Sequence, residues 1–80
     1  MSIENQIEVD AIFDIKEPRD IREAVEDIDL NGYQSHKILY RDLILVETTN
    51  GTIAVRMSNP TYGYGILVGL ARIKHKELIH

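Results

Sequence analysis

The chain has 80 residues, of which 44% are hydrophobic and 28% are charged, with a net charge of −4 and no cysteine. This length supports one hydrophobic core, so we expect a single domain over residues 1–80. The composition excludes a disordered chain, a disulfide-bonded scaffold and a thiolate metal site. No apolar run approaches the roughly 20 residues of a membrane span, and no signal peptide is seen, so we expect a cytoplasmic protein without a membrane partner.

The charge is unevenly distributed along the chain. Residues 1–30 contain ten acids and three bases, a net charge of −7, whereas residues 31–80 contain three acids and six bases, a net charge of +3. Either the two parts neutralise each other within one fold, or they form oppositely charged faces. The second arrangement would favour head-to-tail self-association or a charged partner.

The first predicted element is a strand over residues 7–16, where apolar and polar residues alternate. An alternation with period two places one set of side chains on each face of a strand. The side chains of the apolar face are Ile7, Val9, Ala11, Phe13 and Ile15. The opposite face is mainly charged, so we expect it to be exposed to solvent.

A helix is predicted next. Pro18 suits the first turn of a helix, where its missing N–H is not needed. Four apolar residues follow at positions i, i+3, i+4 and i+7 and form one stripe: Ile21, Ala24, Val25 and Ile28. Asn31-Gly32 is a typical helix stop, so the helix should end there and bury this stripe against a sheet.

The end of this helix carries an unusual group of acids. Residues 27–32 begin like a calcium-binding EF-hand loop, but position twelve is Ile38, where a carboxylate is required, so no metal ligand is predicted. Glu26, Asp27 and Asp29 oppose the helix macrodipole, which disfavours negative charge at a C-terminus. They indicate either a solvated surface that tolerates this cost or an acidic patch for a basic partner or a neighbouring subunit.

A mixed strand region is predicted over residues 34–48. Arg41-Asp42 interrupts its apolar pattern and indicates a bend or bulge. Residues 43–46 are apolar on both faces, as in an interior strand.

Asn50-Gly51 predicts a two-residue hairpin turn between strands near residues 43–49 and 52–57, because both residues tolerate positive φ. This register would align three pairs on one face: Thr48 with Ile53, Val46 with Val55, and Ile44 with Met57. On the other face Glu47 would lie diagonal to Arg56, where the two could form an ion pair.

The last element is ambiguous. Residues 58–60 end the preceding strand, residues 61–65 are typical of a loop, and residues 66–73 suit either a strand or a helix capped by Asn59. A helix would include the three glycines of residues 63–69, each costing up to about 1 kcal/mol relative to Ala, which favours the strand. We therefore predict an α+β fold of order β-α-β-β-β, with one helix packed on one face of a mostly antiparallel sheet.

Residues 58–65 form the only stretch where aromatic residues, glycines and nearby cations coincide. The tyrosines suit stacking on a base or anchoring a partner, and the flanking cations suit a phosphate. The candidate binding residues are Arg56, Asn59, Tyr62, Tyr64, Arg72 and Lys74. The competing interpretation is that both tyrosines cap the core.

No residue spacing in the chain predicts a catalytic set, so we predict neither an enzyme nor a cofactor. The leading prediction is a non-catalytic interaction module, an accessory, regulatory or inhibitor-like protein that binds a partner protein or self-associates. The alternative is a binder of a nucleotide, another small phosphorylated ligand or RNA, acting through the Tyr/Gly loop and the basic C-terminal segment. The net negative charge argues against binding to extended duplex DNA, which requires a basic face.

Overall fold

The computed structural model of the protein describes residues 8–78. Its elements in chain order are β1 (Ala11–Ile15), α1 (Pro18–Leu30), β2 (Tyr33–Tyr40), β3 (Leu43–Thr48), β4 (Gly51–Met57) and α2 (Tyr62–Leu78). The strands form one mixed sheet in the order β1-β4-β3-β2, in which β1 runs parallel to β4 and the other two pairings are antiparallel. The α+β class is confirmed. The predicted order with a single helix is wrong, because a second helix follows β4.

Both helices pack on the same face of the sheet. Buried apolar side chains of α1 and α2 form one cluster with alternate residues of the strands. The strand residues of this cluster are Ile15, Tyr33, Ile44, Val46, Ile53, Val55 and Met57. Within residues 8–78 no helix covers the opposite face, so the fold has two layers.

The predicted strand at the N-terminus is observed over a shorter range, as β1. Ile15 is fully buried and Phe13 is partly buried against the core, whereas Ala11 is exposed. Ile7, the first residue of the predicted apolar face, lies outside the described residues.

The predicted helix is confirmed as α1. Of its apolar stripe, Ala24 and Ile28 are buried, and the other two residues are partly buried against the core. The helix ends at the C-cap residue Asn31, and the following Gly32 has φ +85°. Glycine adopts this left-handed conformation without the steric cost of a Cβ, which is why the helix stops there.

The start of α1 is stabilised by one carboxylate. Asp20 accepts hydrogen bonds from the backbone N–H groups of Lys16 and Glu17, each at 2.9 Å. These two bonds stabilise the ionised carboxylate and lower the pKa of Asp20. The exposed N–H groups that precede the helix are thereby satisfied.

A two-residue turn at Arg41-Asp42 joins β2 to β3, so residues 34–48 form two strands instead of one bent strand. The predicted irregularity is nearby, since the pairing register shifts between Ile38 and Tyr40. β3 lies between β2 and β4, which confirms the interior strand predicted from its apolar residues.

The hairpin between β3 and β4 turns one residue earlier than predicted, at Thr49-Asn50. Thr48 pairs with Gly51 instead of Ile53. Its hydroxyl accepts a hydrogen bond from the Asn50 N–H at 3.2 Å and donates one to the Gly51 carbonyl at 2.7 Å. Each residue therefore pairs two positions away from its predicted partner. Because side chains alternate between faces with a period of two, the six residues of the predicted pairs still lie on one face, and all six are buried.

Gly51 is needed for close approach and not as a turn residue. It begins β4 with φ +128°, and a Cβ there would collide with the carboxylate of Asp10. That carboxylate accepts a hydrogen bond from the Thr52 N–H at 2.8 Å. Both the positive φ and the contact with the chain entering β1 therefore require glycine at this position.

Residues 62–78 form a helix, so the strand predicted at residues 66–73 is wrong, as is the loop predicted beyond residue 61. The glycines allow α2 to approach its neighbours closely. A Cβ at Gly69 would lie 2.5 Å from Cγ2 of Val25, and one at Gly65 would lie 3.1 Å from Cδ1 of Ile21. The local cost of glycine is therefore offset by tertiary packing. No helix within residues 8–78 is long and apolar enough to cross a membrane.

Candidate interaction surfaces

The uncovered face of the sheet carries an apolar row that crosses the strands. The register aligns Ile12 with Ala54, Ala54 with Leu45, and Leu45 with Lys37. Three of these four residues are apolar, on a face that a two-layer fold normally leaves polar. The neighbouring row adds two further apolar residues. We call this group the sheet-face patch; its members are Ile12, Tyr40, Leu43, Leu45 and Ala54.

The sheet-face patch is accessible at both ends. Ile12 is 57% exposed on β1, and Tyr40 is 52% exposed on β2. Between them Leu43 and Leu45 are half-buried, and the small side chain of Ala54 is buried. Single exposed apolar residues are common on protein surfaces, but a contiguous group is not. Sequence reasoning missed this surface, although Ile12 interrupts a charged face and residues 43–46 are apolar on both faces.

Polar contacts border the sheet-face patch on two sides. The Arg56 guanidinium donates to the carboxylate of Asp14, with Nε–Oδ1 at 2.7 Å and Nη2–Oδ2 at 3.2 Å. This hydrogen bond lowers the pKa of Asp14 and raises the pKa of Arg56. The predicted ion pair between Glu47 and Arg56 is wrong, because Glu47 accepts hydrogen bonds from the Thr52 hydroxyl instead, at 2.9 and 3.0 Å.

The residues of the predicted recognition loop are separated by the start of α2. Tyr62 is partly buried and packs against the core, whereas Tyr64 is 77% exposed. Residues two positions apart in a helix point in nearly opposite directions, which explains the difference. Asn59 lies before the helix, where its Oδ1 accepts hydrogen bonds from the Thr61 N–H at 3.1 Å and the Thr61 hydroxyl at 2.9 Å.

The predicted cations also lie on separate surfaces. Arg56 is on the uncovered sheet face, and Arg72 lines a groove between α1 and α2. Lys74 lies beside β2, with its Nζ 5.7 Å from the centroid of the Tyr33 ring. The binding roles of these residues remain predictions, and their placement lends no support to the alternative of a phosphorylated ligand.

A tyrosine–histidine pair lies at the start of β2. The hydroxyl of Tyr33 is 2.7 Å from Nδ1 of His36. Burial raises the pKa of Tyr33, and the negative charge of Glu77 adds to this effect. The phenol is therefore held neutral, as a structural hydrogen-bonding group at the edge of the core.

Part of the uneven charge is neutralised within the fold. The ion pair between Asp14 and Arg56 joins the acidic first part of the chain to the basic second part, as does the pair between Asp29 and Lys76, at 3.6 Å. The second of these pairs spans a groove of 780 Å³ between α1 and α2.

Comparison of the chain with protein-family models, curated proteins and solved structures finds no match.

Proposed function

We propose that the protein is a non-catalytic interaction module that binds a partner protein through the sheet-face patch. The observation that carries this proposal is the apolar row on the sheet face that the helices of residues 8–78 leave uncovered. Contiguous exposed apolar surface marks interaction sites on soluble proteins. An apolar centre bordered by polar contacts is also the usual composition of a protein–protein interface.

The charges beside the sheet-face patch favour a partner with an acidic border. Lys37 ends the apolar row on β2, and Arg41 follows Tyr40 in the turn. Neither cation forms an ion pair among residues 8–78. On the opposite edge, the cation Arg56 is already paired with Asp14. A partner surface that is apolar at its centre and carries carboxylates over β2 would complement this arrangement.

Site-specific crosslinking in cells tests this proposal. A photoreactive amino acid is placed at Ile12, within the sheet-face patch, and at Leu78 as a control, since Leu78 is 81% exposed on α2. We expect a heterologous protein to crosslink from position 12 and not from position 78. The purified partner should then bind Ile12→Lys at least tenfold more weakly than wild type, and Leu78→Lys with unchanged affinity.

The charge preference is tested with the same purified partner. Lys37→Glu should weaken binding, and added salt should reduce the difference from wild type because surface charges are screened. A partner that binds wild type and Ile12→Lys equally, while circular dichroism shows both to be folded, would contradict the proposed surface.

A further inference from the structure

We infer that the groove between α1 and α2 is the contact surface of a homodimer, in which the α1 helices of two copies pack antiparallel about a two-fold axis. This surface lies on the opposite side of the molecule from the sheet-face patch. The inference therefore holds or fails independently of the proposed partner binding.

The groove is formed by two parallel helices. Ile21 approaches Gly65, and Val25 approaches Gly69, so positions on α1 and α2 advance together along the chain. The apolar floor of the groove includes Val25 and Val68, both partly buried. A second copy would cover this floor with the same surface, as an isologous interface requires.

The charged residues of α1 along the groove are ordered by sign. Arg19 and Arg22 lie near the start of the helix, and Glu26 and Asp29 lie near its end. These four charges follow one another at i, i+3, i+7 and i+10, so they share one side of the helix. Glu23 also lines the groove and adds an acid near the middle of α1. The groove-lining charges at both ends of α1 oppose the helix macrodipole, which favours acids at the start of a helix and bases at its end. The helix macrodipole therefore does not explain this order.

Contacts within the chain account for the outer charges of this series but not for the two central ones. Arg22 and Glu26 are four residues apart, yet neither forms an ion pair among residues 8–78. Among residues 8–78 Arg19 forms its ion pair with the exposed Glu17, at 3.1 Å, and Asp29 forms one with Lys76. The two central charges of the series therefore remain available to a second molecule.

An antiparallel copy of α1 pairs all four charges. Positions 22 and 26 are equally far from position 24 along α1, as are positions 19 and 29. If the two-fold axis passes beside residue 24, Arg22 therefore meets Glu26 of the second copy, and Arg19 meets its Asp29. The neighbouring position on α2 is residue 68, given the contacts of Val25 with Gly69. Val68 would then meet its own counterpart at the axis. The result is a centre formed by Val68, with one Glu23 from each copy beside it and complementary charges on either side.

Charge reversal tests the antiparallel arrangement. In sedimentation equilibrium and light scattering, wild type should form particles of twice the chain mass. Arg22→Glu and Glu26→Arg should each raise the dimer dissociation constant at least tenfold, whereas Arg41→Glu, an equal charge change in the β2–β3 turn, should not. An equimolar mixture of the first two variants should form a heterodimer, because position 22 of each then faces an opposite charge at position 26 of the other.

The swapped double variant, Arg22→Glu with Glu26→Arg, should dimerise like wild type. Its charges also suit the helix macrodipole, so the midpoint of its unfolding transition should not fall below that of wild type. Because the chain lacks cysteine, Val68→Cys should form a disulfide-linked dimer on oxidation faster than Ser35→Cys does on the exposed edge strand.

Three results would each overturn the inference. Wild type could be monomeric from micromolar to several hundred micromolar. Arg22→Glu could dimerise with the wild-type constant, which would place the contact on another surface. The mixture and the swapped variant could both stay monomeric although folded by circular dichroism, which would exclude the antiparallel pairing of α1.

Discussion

Replacing Gly69 with alanine tests whether close packing between the helices offsets the conformational cost of glycine in α2. A Cβ at this position would lie 2.5 Å from Cγ2, 3.0 Å from Cγ1 and 3.3 Å from Cβ of Val25. Valine has essentially one rotamer in a helix, so it cannot turn away and the helices must separate. Overpacking costs about 1–3 kcal/mol, and three close atoms place this case in the upper half of that range. Alanine regains about 1 kcal/mol of helix propensity, which leaves a net loss of about 1–2 kcal/mol.

Urea unfolding followed by circular dichroism, at one protein concentration, measures this loss. Gly65→Ala is the matched control, because its Cβ would approach Ile21 no closer than 3.1 Å at Cδ1, the flexible end of the side chain, and 3.3 Å at Cγ2. Its free energy of unfolding should stay within about 0.5 kcal/mol of wild type or rise, since the propensity gain applies there too. In a Val25→Ala background only the contact with Cβ of residue 25, at 3.3 Å, remains. Gly69→Ala should then stabilise by up to about 1 kcal/mol. A Gly69→Ala protein as stable as wild type would refute the reasoning, as would an equal loss in both backgrounds.

Two further predictions concern the capping carboxylate and the tyrosines. The folded-state pKa of Asp20 is lowered by two backbone N–H donors, so its contribution to stability is present above its unfolded pKa of about 3.9 and is lost as the pH falls through the folded value. Asp20→Asn should therefore lose less stability than wild type between pH 7 and pH 3 in urea unfolding; an equal loss would contradict the assignment. Tyr62→Ala should lower the free energy of unfolding by about 2 kcal/mol because the ring is partly buried, whereas exposed Tyr64→Ala should change it by less than about 0.5 kcal/mol. Similar losses for both tyrosines would contradict their placement on opposite sides of α2.

Sequence reasoning failed where the deciding contact comes from a distant part of the chain. Arg56 pairs with Asp14 because β1 lies parallel beside β4, a neighbour that no local pattern identifies. The hairpin turns at Thr49-Asn50, and Gly51 lies against Asp10, a contact that the local sequence does not indicate. The six candidate binding residues were grouped by their proximity in sequence; the structure places them on separate surfaces, and their binding roles stay predictions.

Local patterns by themselves determined α1, with its buried stripe from periodicity and its stop from Asn31-Gly32. Periodicity also determined which side chains of residues 44–57 face the core. Both follow from local geometry, since a helix and a strand each have a fixed side-chain period. Only the tertiary structure decided that residues 62–78 form a helix. The cost of glycine in a helix is local and can be read from the chain, whereas the gain from packing Gly65 and Gly69 against α1 exists only once that helix is in place.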